Sequence, residues 1–408
     1  MPEASSSPLL RRRLRHGRDR LATALITAGG IGVIAAVMAI GVFLAVEVLP
    51  LFWSAGADEP AVDIASLWGP QDYPGLAEPA YRWQPTLPEG DPGPRFNLAP
   101  LAWGTLEAAA WSLVIAVPLA LGAAAHSALF MSRRLRGYLK PALELMEALP
   151  GVVVGFLAGL VLAPWLERHL GLGLTLLWLM PLGVVLGGAL WSRLPGTARR
   201  RLPMGWAALW LVPWLILLWA LAGWLAPLLE AWWFGGDLRG WVTATLGLDY
   251  ASRNAIIIGM AMGFAVMPTI YALAEDALSG VPGRLAEGAL ALGATRWQAL
   301  WRVVLPAAAP GVFSAVMIGA GRAVGETMIV LIASGNTALF NANPLDGLRS
   351  MAASIAIELP EAAPGGSHYR LLLLAALLLF LFTFLVNTLA EVVRARLRRR
   401  YRRLGDSA

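Results

Sequence analysis

Residues 287–306 read Glu287-Gly-Ala-Leu-Ala-Leu-Gly293-Ala-Thr-Arg-Trp-Gln-Ala-Leu-Trp-Arg-Val-Val-Leu305-Pro306. The stretch predicts a short amphipathic helix, a break at Gly293, where the backbone turns without a Cβ penalty, and a second helix ended by Leu305-Pro306. It lies between two long apolar runs, Asn254 to Ala274 and Pro310 to Ser334. A polar helix pair hung between two apolar runs is the pattern of a loop joining membrane spans.

Composition agrees. Of 408 residues, 58% are hydrophobic and 14% charged, and the mean hydropathy is +0.63. That leaves too little polar surface to cover a soluble globule of this length. The 18 Trp suit the boundary between hydrocarbon and headgroups. Cysteine is absent, which removes disulfides, thiolate metal sites and cysteine nucleophiles together. The net charge of +6 does not point to nucleic acid, because the arginines cluster beside apolar segments and do not interleave with aromatics on a polar face.

A spanning helix needs about 20 mostly apolar residues. Eight runs qualify: Leu21 to Phe52, Pro100 to Met131, Leu143 to Leu166, Leu172 to Trp191, Trp206 to Leu229, Asn254 to Ala274, Pro310 to Ser334 and Leu371 to Val393. The first is too long for a signal peptide and lacks a small-residue cleavage site, so it is expected to stay as an anchor. Basic residues in short loops mark the cytoplasmic side. With both termini inside, that side collects the N-terminal arginines from Arg11 to Arg20, the cluster from Arg133 to Lys140, the group from Arg193 to Arg201, Arg284, Arg296, Arg302, and the C-terminal arginines from Arg394 to Arg403. The expected orientation therefore has an even number of spans and two cytoplasmic tails. The outer segment 53–99 is Pro-rich and acidic, with Asp58, Glu59, Asp63, Asp72, Glu78, Glu89 and Asp91 against Arg82 and Arg95. It reads as an irregular exposed loop without a catalytic constellation.

The seventh run contains Gly319-Ala-Gly321-Arg322-Ala-Val-Gly325-Glu326-Thr327-Met328. An arginine in mid-span costs roughly 2.5 to 3.5 kcal/mol on insertion scales unless it finds a cavity or a partner, which makes it a functional-site candidate. Glu326, four residues on, is expected on the same helical face and paired with Arg322, while Gly321 and Gly325 form an edge for close helix packing. No phosphate-binding Gly-x-x-x-x-Gly-Lys-Ser/Thr loop occurs, and Lys140 is the only lysine. The four histidines assemble neither a metal site nor a catalytic triad, so no catalytic or metal residue is assigned.

The 287–306 stretch resembles the EAA loop of ABC-importer permeases, with Gly288 in place of the first alanine. The seventh run resembles the Gly-Arg-Ala-x-Gly-Glu-Thr motif of phosphate-specific ABC transporter permeases of the PstC/PstA type, and Met328 with Ser334-Gly335-Asn336 is closer to the PstC type. Lys140 to Phe156 and Met267 to Leu278 are similar to other parts of that family, so the likeness spans about Trp103 to Glu391. The resemblance implies an all-α polytopic bundle with a type I ABC importer (MetI-like) core, in the bacterial inner membrane. Its layout would be a basic tail (1–20), an anchor (21–52), a periplasmic loop (53–99), a permease domain (100–393) with the EAA loop at about 279–309, and a second basic tail (394–408). It implies a substrate pathway at Arg322, Glu326 and Thr327, and ATPase coupling through Glu287, Gly293, Leu305 and Pro306. The implied partners are a paralogous permease subunit or a second copy, an ABC ATPase dimer that binds the ATP, and a periplasmic phosphate-binding protein, besides membrane lipid. No cofactor is implied in the chain itself. The chain departs from the family at about 172–230, which reads as an extra helical hairpin whose even number of spans preserves the orientation of everything after it.

Other classes fit less well. A secondary transporter would be expected to show internal repeats and would leave the EAA-like loop without a purpose. Within the ABC class, one Arg-Glu motif selects an anion more firmly than it selects which anion, so phosphonate and molybdate stay beside phosphate.

Overall fold

A computed structural model of the chain describes residues 8–52, 63–73, 78–85, 95–195 and 209–405. Asp58, Glu59, Glu89 and Asp91 of the outer loop, the Arg199-Arg200-Arg201 turn, and the side chains of Arg11 to Arg18 and Arg398 to Arg403 lie outside the described residues. Among those described, eight helical stretches are long and apolar enough to cross a membrane, and each coincides with one of the eight apolar runs. The only strands named among them are β1 (Trp83–Gln84) and β2 (Arg95–Phe96), an antiparallel pair with Trp83 opposite Phe96. The fold is an all-α membrane bundle.

The chain opens with α1 (Pro8–Val48) and a short α2 (Ile64–Trp68), then enters the core with α3 (Ala99–Leu129). An amphipathic α4 (Arg133–Glu147) follows, with no buried residue. Leu149-Pro150 separates it from α5 (Gly151–Phe156), which runs through a π turn at Leu157–Leu162 into α6 (Ala163–Arg168). The third span therefore starts at Gly151 and not at Leu143, because Pro150 cannot continue the α4 ladder.

The inserted hairpin is α7 (Leu170–Arg193) and α8 (Leu211–Phe234). The two helices pack on each other: the Trp214 indole donates to the Gly183 carbonyl at 2.8 Å, and Trp191 stacks on Trp210. A short α9 (Leu238–Trp241) fastens its base, where Arg239 pairs with Glu167 at 2.8 Å. Its outer face exposes Trp178, Trp224 and Trp232.

The hub is α10 (Ala255–Ser279), capped by the Asn254 side chain on the Ile257 amide. Over its most apolar stretch 56% of residues are buried, against 6% for the first span, so α10 is the central helix and α1 a peripheral one. It lies against α3, whose contact stripe Ala108, Ser112, Ala116, Ala120 and Ala124 repeats small residues every fourth position. From the α10 side, Gly259 and Gly263 answer that stripe, and a Cβ on Gly259 would stand 2.7 Å from Trp111 Cβ. Inside lipid, apolar helices gain little from mutual burial, and such small-residue seams let backbones approach until dispersion and packing hold them.

After α10 come α11 (Gly283–Ala291), α12 (Arg296–Ala299), α13 (Leu305–Val324), α14 (Met328–Ala333), α15 (Met351–Glu358) and α16 (Ser367–Gly405). The break at Gly293 is present, with φ +88°. Leu305-Pro306 does not end the second helix. A π turn at Leu300–Val304, in which the Leu305 amide reaches back to the Leu300 carbonyl, carries the chain directly into α13. Pro306 thus sits in the first turn of α13, where a missing N–H costs least. Arg296–Val324 is one helical stretch of 29 residues.

Candidate functional site

The seventh span ends at Val324, before its apolar run ends at Ser334. Helix α13 ends at Val324 with Gly325 as its cap, the Glu326 amide bonds the Ala323 carbonyl in a tightened last turn, and α14 resumes only at Met328. The break falls within the Arg322 to Met328 motif. A discontinuous span exposes backbone groups at mid-depth and is tolerated where it is buried in protein or lines a cavity.

A ridge of glycines on α5 and its π turn makes room for the broken span. Gly151, Gly155 and Gly159 recur every fourth residue. A Cβ on them would stand 3.0 Å from Glu326 Oε1, 3.1 Å from the Met328 carbonyl oxygen and 2.9 Å from the Ile332 carbonyl oxygen, respectively. The ridge brings α14 backbone to backbone against the third span.

A cavity of about 140 Å³ opens at this junction. Its wall includes Glu147, Gly151, Phe264, Arg322, Glu326 and Ile329. Pro268 in α10 has no N–H for the Phe264 carbonyl one turn back, which loosens the helix ladder at the cavity wall.

Arg322 and Glu326 both line the cavity, but they do not pair. The guanidinium Nη1 lies 2.7 Å from Glu147 Oε1 and also donates to Thr269 Oγ1, and the Thr269 hydroxyl donates to Glu147 Oε1 at 2.9 Å. The expectation of an Arg322–Glu326 pair assumed a continuous helix. Because the helix ends between them, Glu326 leaves the Arg322 face, and its Oε1 is placed toward the Ile329 amide at 3.5 Å. Gly321 does serve close packing, with Asn387 Oδ1 at 3.0 Å from where a Cβ would be, whereas Gly325 faces only carbonyls of its own turn. Thr327 precedes α14, its hydroxyl donates to the Gly325 carbonyl at 3.3 Å, and it is not among the lining residues.

Glu147 and Thr269 are the residues that sequence reasoning missed. Each carried a signal: Glu147 is a carboxylate directly before the Leu149-Pro150 break, and Thr269 follows a mid-span proline. Glu147 is carried by α4, which is held to α10 at its other end. Lys140 Nζ lies 2.7 Å from Asp276 Oδ1 and 3.3 Å from Glu275 Oε2, and Arg136 Nη1 lies 3.4 Å from Glu275 Oε1. The hydrogen bond that Lys140 donates to Asp276 foremost holds its ammonium above the ordinary lysine range.

The loop residues form a second group. Glu287 and Gly293 are exposed, Leu305 is half-buried and Pro306 exposed. The turn is closed by the Ala294 amide on the Ala289 carbonyl and by a capping box between Thr295 and Gln298. Around it, Leu292, Trp297 and Trp301 are exposed to 91%, 60% and 52%, an apolar surface on an otherwise polar loop.

Comparison with known proteins fits this architecture. Residues 116–403 match the family described as binding-protein-dependent transport system inner membrane component. A Bacillus subtilis protein described as a probable ABC transporter permease, YqgH, is 24% identical over 94% of this chain and 93% of its own. The phosphate transport system permease protein PstC of Pasteurella multocida is 27% identical over 73% of this chain and 74% of its own, and PstC 1 of Mycobacterium tuberculosis is 27% identical over 73% and 72%. With the family match covering well over half of the chain, on a bundle of eight spans with an exposed loop before the seventh, this protein belongs to the binding-protein-dependent transport system inner membrane components, the permease family of ABC transporters.

Proposed function

We propose that this chain is the permease subunit of an ATP-driven importer for inorganic phosphate, with Arg322 supplying the positive charge of the pathway. The observation that carries this reading is a guanidinium set in a cavity at a break in a membrane span, bonded among the described residues through Nη1 alone. Its remaining donors match the oxygens of an oxyanion. The PstC relatives, named as phosphate transport permeases, favour phosphate among the oxyanions.

The exposed pair α11 and α12 docks on a separate ATPase subunit, of which an importer needs two copies, with Glu287 and Gly293 in the contact. No phosphate-binding loop occurs in this sequence, so ATP is bound by that partner. Motion of the loop travels along the single helical stretch Arg296–Val324, which ends beside Arg322. From Trp297 to Arg322 that is roughly 38 Å at the helical rise. Both termini and the loop face the cytoplasm. A second permease subunit, paralogous or identical, completes the pathway, and a periplasmic phosphate-binding protein delivers the anion.

The test is uptake of radiolabelled phosphate by cells lacking the chain and complemented with wild type or Arg322→Gln, with sulfate and phosphonate as competing substrates. Wild type restores phosphate uptake and Arg322→Gln does not, while both assemble with the ATPase. Normal uptake by an assembled Arg322→Gln transporter removes the arginine from the pathway, and preferential uptake of phosphonate reassigns the substrate.

A further inference from the structure

We propose that Glu147 is the resting counter-ion of Arg322 and that the transported oxyanion displaces it. The inference rests on the reading of Arg322 as the pathway cation and gives to Glu147 the pairing with Arg322 that the sequence suggested for Glu326.

Three observations carry it. Glu147 Oε1 is 2.7 Å from Arg322 Nη1, so a carboxylate of the chain itself neutralises the cation. The pair is not enclosed by the chain, with side-chain exposures of 36% for Arg322 and 38% for Glu147, so packing within the chain does not lock the two groups together. Glu147 also stands on neither α13 nor α10 but at the last residue of α4, a helix without one buried residue. That helix is held at its other end by Lys140 and Arg136 to Glu275 and Asp276, close before the exposed loop. A carboxylate on a lightly seated helix can withdraw and return while Arg322 and Thr269 stay on packed spans.

The chemistry supplies direction. An oxyanion that engages the free edge of the guanidinium faces the Glu147 carboxylate on the same cation, and repulsion favours separation of the two anions. When Glu147 returns, the same repulsion weakens the bound oxyanion, so the site releases what it attracts. Glu326, with its Oε1 toward the Ile329 amide, does not take part in this exchange.

The experiment is phosphate import by cells carrying the complete transporter, with KM and maximal rate normalised to the permease that co-purifies with the ATPase. Glu147→Gln keeps the size and hydrogen bonding of the side chain and removes its charge. It is expected to lower KM roughly tenfold and to lower the maximal rate by a similar factor, because one charged competitor is lost. Glu361→Gln, at an exposed carboxylate that does not line the cavity, leaves KM near wild type. Unchanged KM and rate in Glu147→Gln, or a raised KM, overturn the counter-ion role while an inactive Arg322→Gln leaves the pathway reading intact. An active Arg322→Gln overturns both. If Glu147→Gln does not accumulate, Glu147→Asp, which draws the carboxylate back by one carbon, is expected to shift KM in the same direction by less, and an unshifted KM there refutes the role.

Discussion

The ammonium of Lys140 lies 2.7 Å from Asp276 Oδ1, so the only lysine of the chain ties the amphipathic α4 to the end of the central helix α10. Its second partner matters more. Asp276 is 64% exposed and screened by solvent, whereas the Glu275 side chain is 3% exposed and also accepts from Arg136 and the Ser279 hydroxyl. Lys140→Met leaves Glu275 with Arg136 and Ser279, and is expected to cost about 1 kcal/mol, read as a small drop in thermal unfolding temperature of the detergent-purified complex. The Lys140 pKa is raised, so its contribution is complete below the unfolded value near 10.5 and is lost only as pH rises through the folded one. The difference between variant and wild type should therefore be constant from about pH 6 to pH 9. A difference that vanishes toward neutral pH contradicts this assignment.

Gly293 holds φ +88°, and a Cβ there would meet nothing within 4 Å. Substitution therefore acts through backbone strain and not through a clash. Gly293→Leu should cost about 1 to 2 kcal/mol in the turn and reorient the exposed Leu292 and Trp297. Gly288→Leu is the control, since its Cβ also points to open space but its φ is ordinary. Phosphate uptake should fall in Gly293→Leu at normal membrane abundance, and the variant should hydrolyse ATP without coupling it to uptake. Normal coupled transport would show that the turn does not transmit motion.

The spans were legible because lipid demands long apolar runs, and that requirement is written residue by residue. The Gly293 turn was legible because a left-handed residue favours glycine. The partner of Arg322 was not, since pairing by sequence spacing presumes a continuous helix and Gly325-Glu326-Thr327 interrupts it. Glu147 is 175 residues from Arg322, and such a contact follows from how α4, α10 and α13 meet, which no local pattern encodes. The ridge Gly151, Gly155, Gly159 could have been read, because glycine at every fourth position marks a surface for close backbone approach. Leu305-Pro306 misled for a different reason: a proline after a π turn begins a helix, and from sequence it is indistinguishable from one that ends it.

Orientation is testable because the chain has no cysteine to remove. Single cysteines at Asp72 and Ala342, both exposed, should react with an impermeant maleimide on intact spheroplasts. Cysteines at Ser192 and Ala291, also exposed, should react only after permeabilisation. Position 192 is the sensitive one, because it stands at the far end of the inserted hairpin. Outside labelling of position 192 would invert the hairpin and break the arrangement of eight spans with both termini in the cytoplasm.

At the end of the bundle away from the loop, one carboxylate gathers four elements. Glu358 closes α15 and accepts the Trp83 indole N–H of β1 at 2.9 Å, pairs with Arg349, and meets His368 Nε2 of α16 at 2.8 Å. Phe96 of β2 stacks on the His368 ring at 5.4 Å between centroids. The Glu358 and Arg349 side chains are 8% and 14% exposed, so this pair is enclosed by the chain more fully than the one at Arg322. Removing one member of such a pair strands the other charge, which costs about 3 to 5 kcal/mol. Glu358→Gln should therefore lower the unfolding temperature far more than Lys140→Met does. Replacing both members, in Arg349→Met with Glu358→Gln, should recover part of that loss, since no cation is then left unpaired. The same variants should make the segment around β1 and β2 more susceptible to protease added outside, while KM for phosphate stays near wild type because none of these residues lines the Arg322 cavity. A double variant as unstable as the sum of its singles would mean that the carboxylate acts on Trp83 and His368 and that its pairing with Arg349 contributes little.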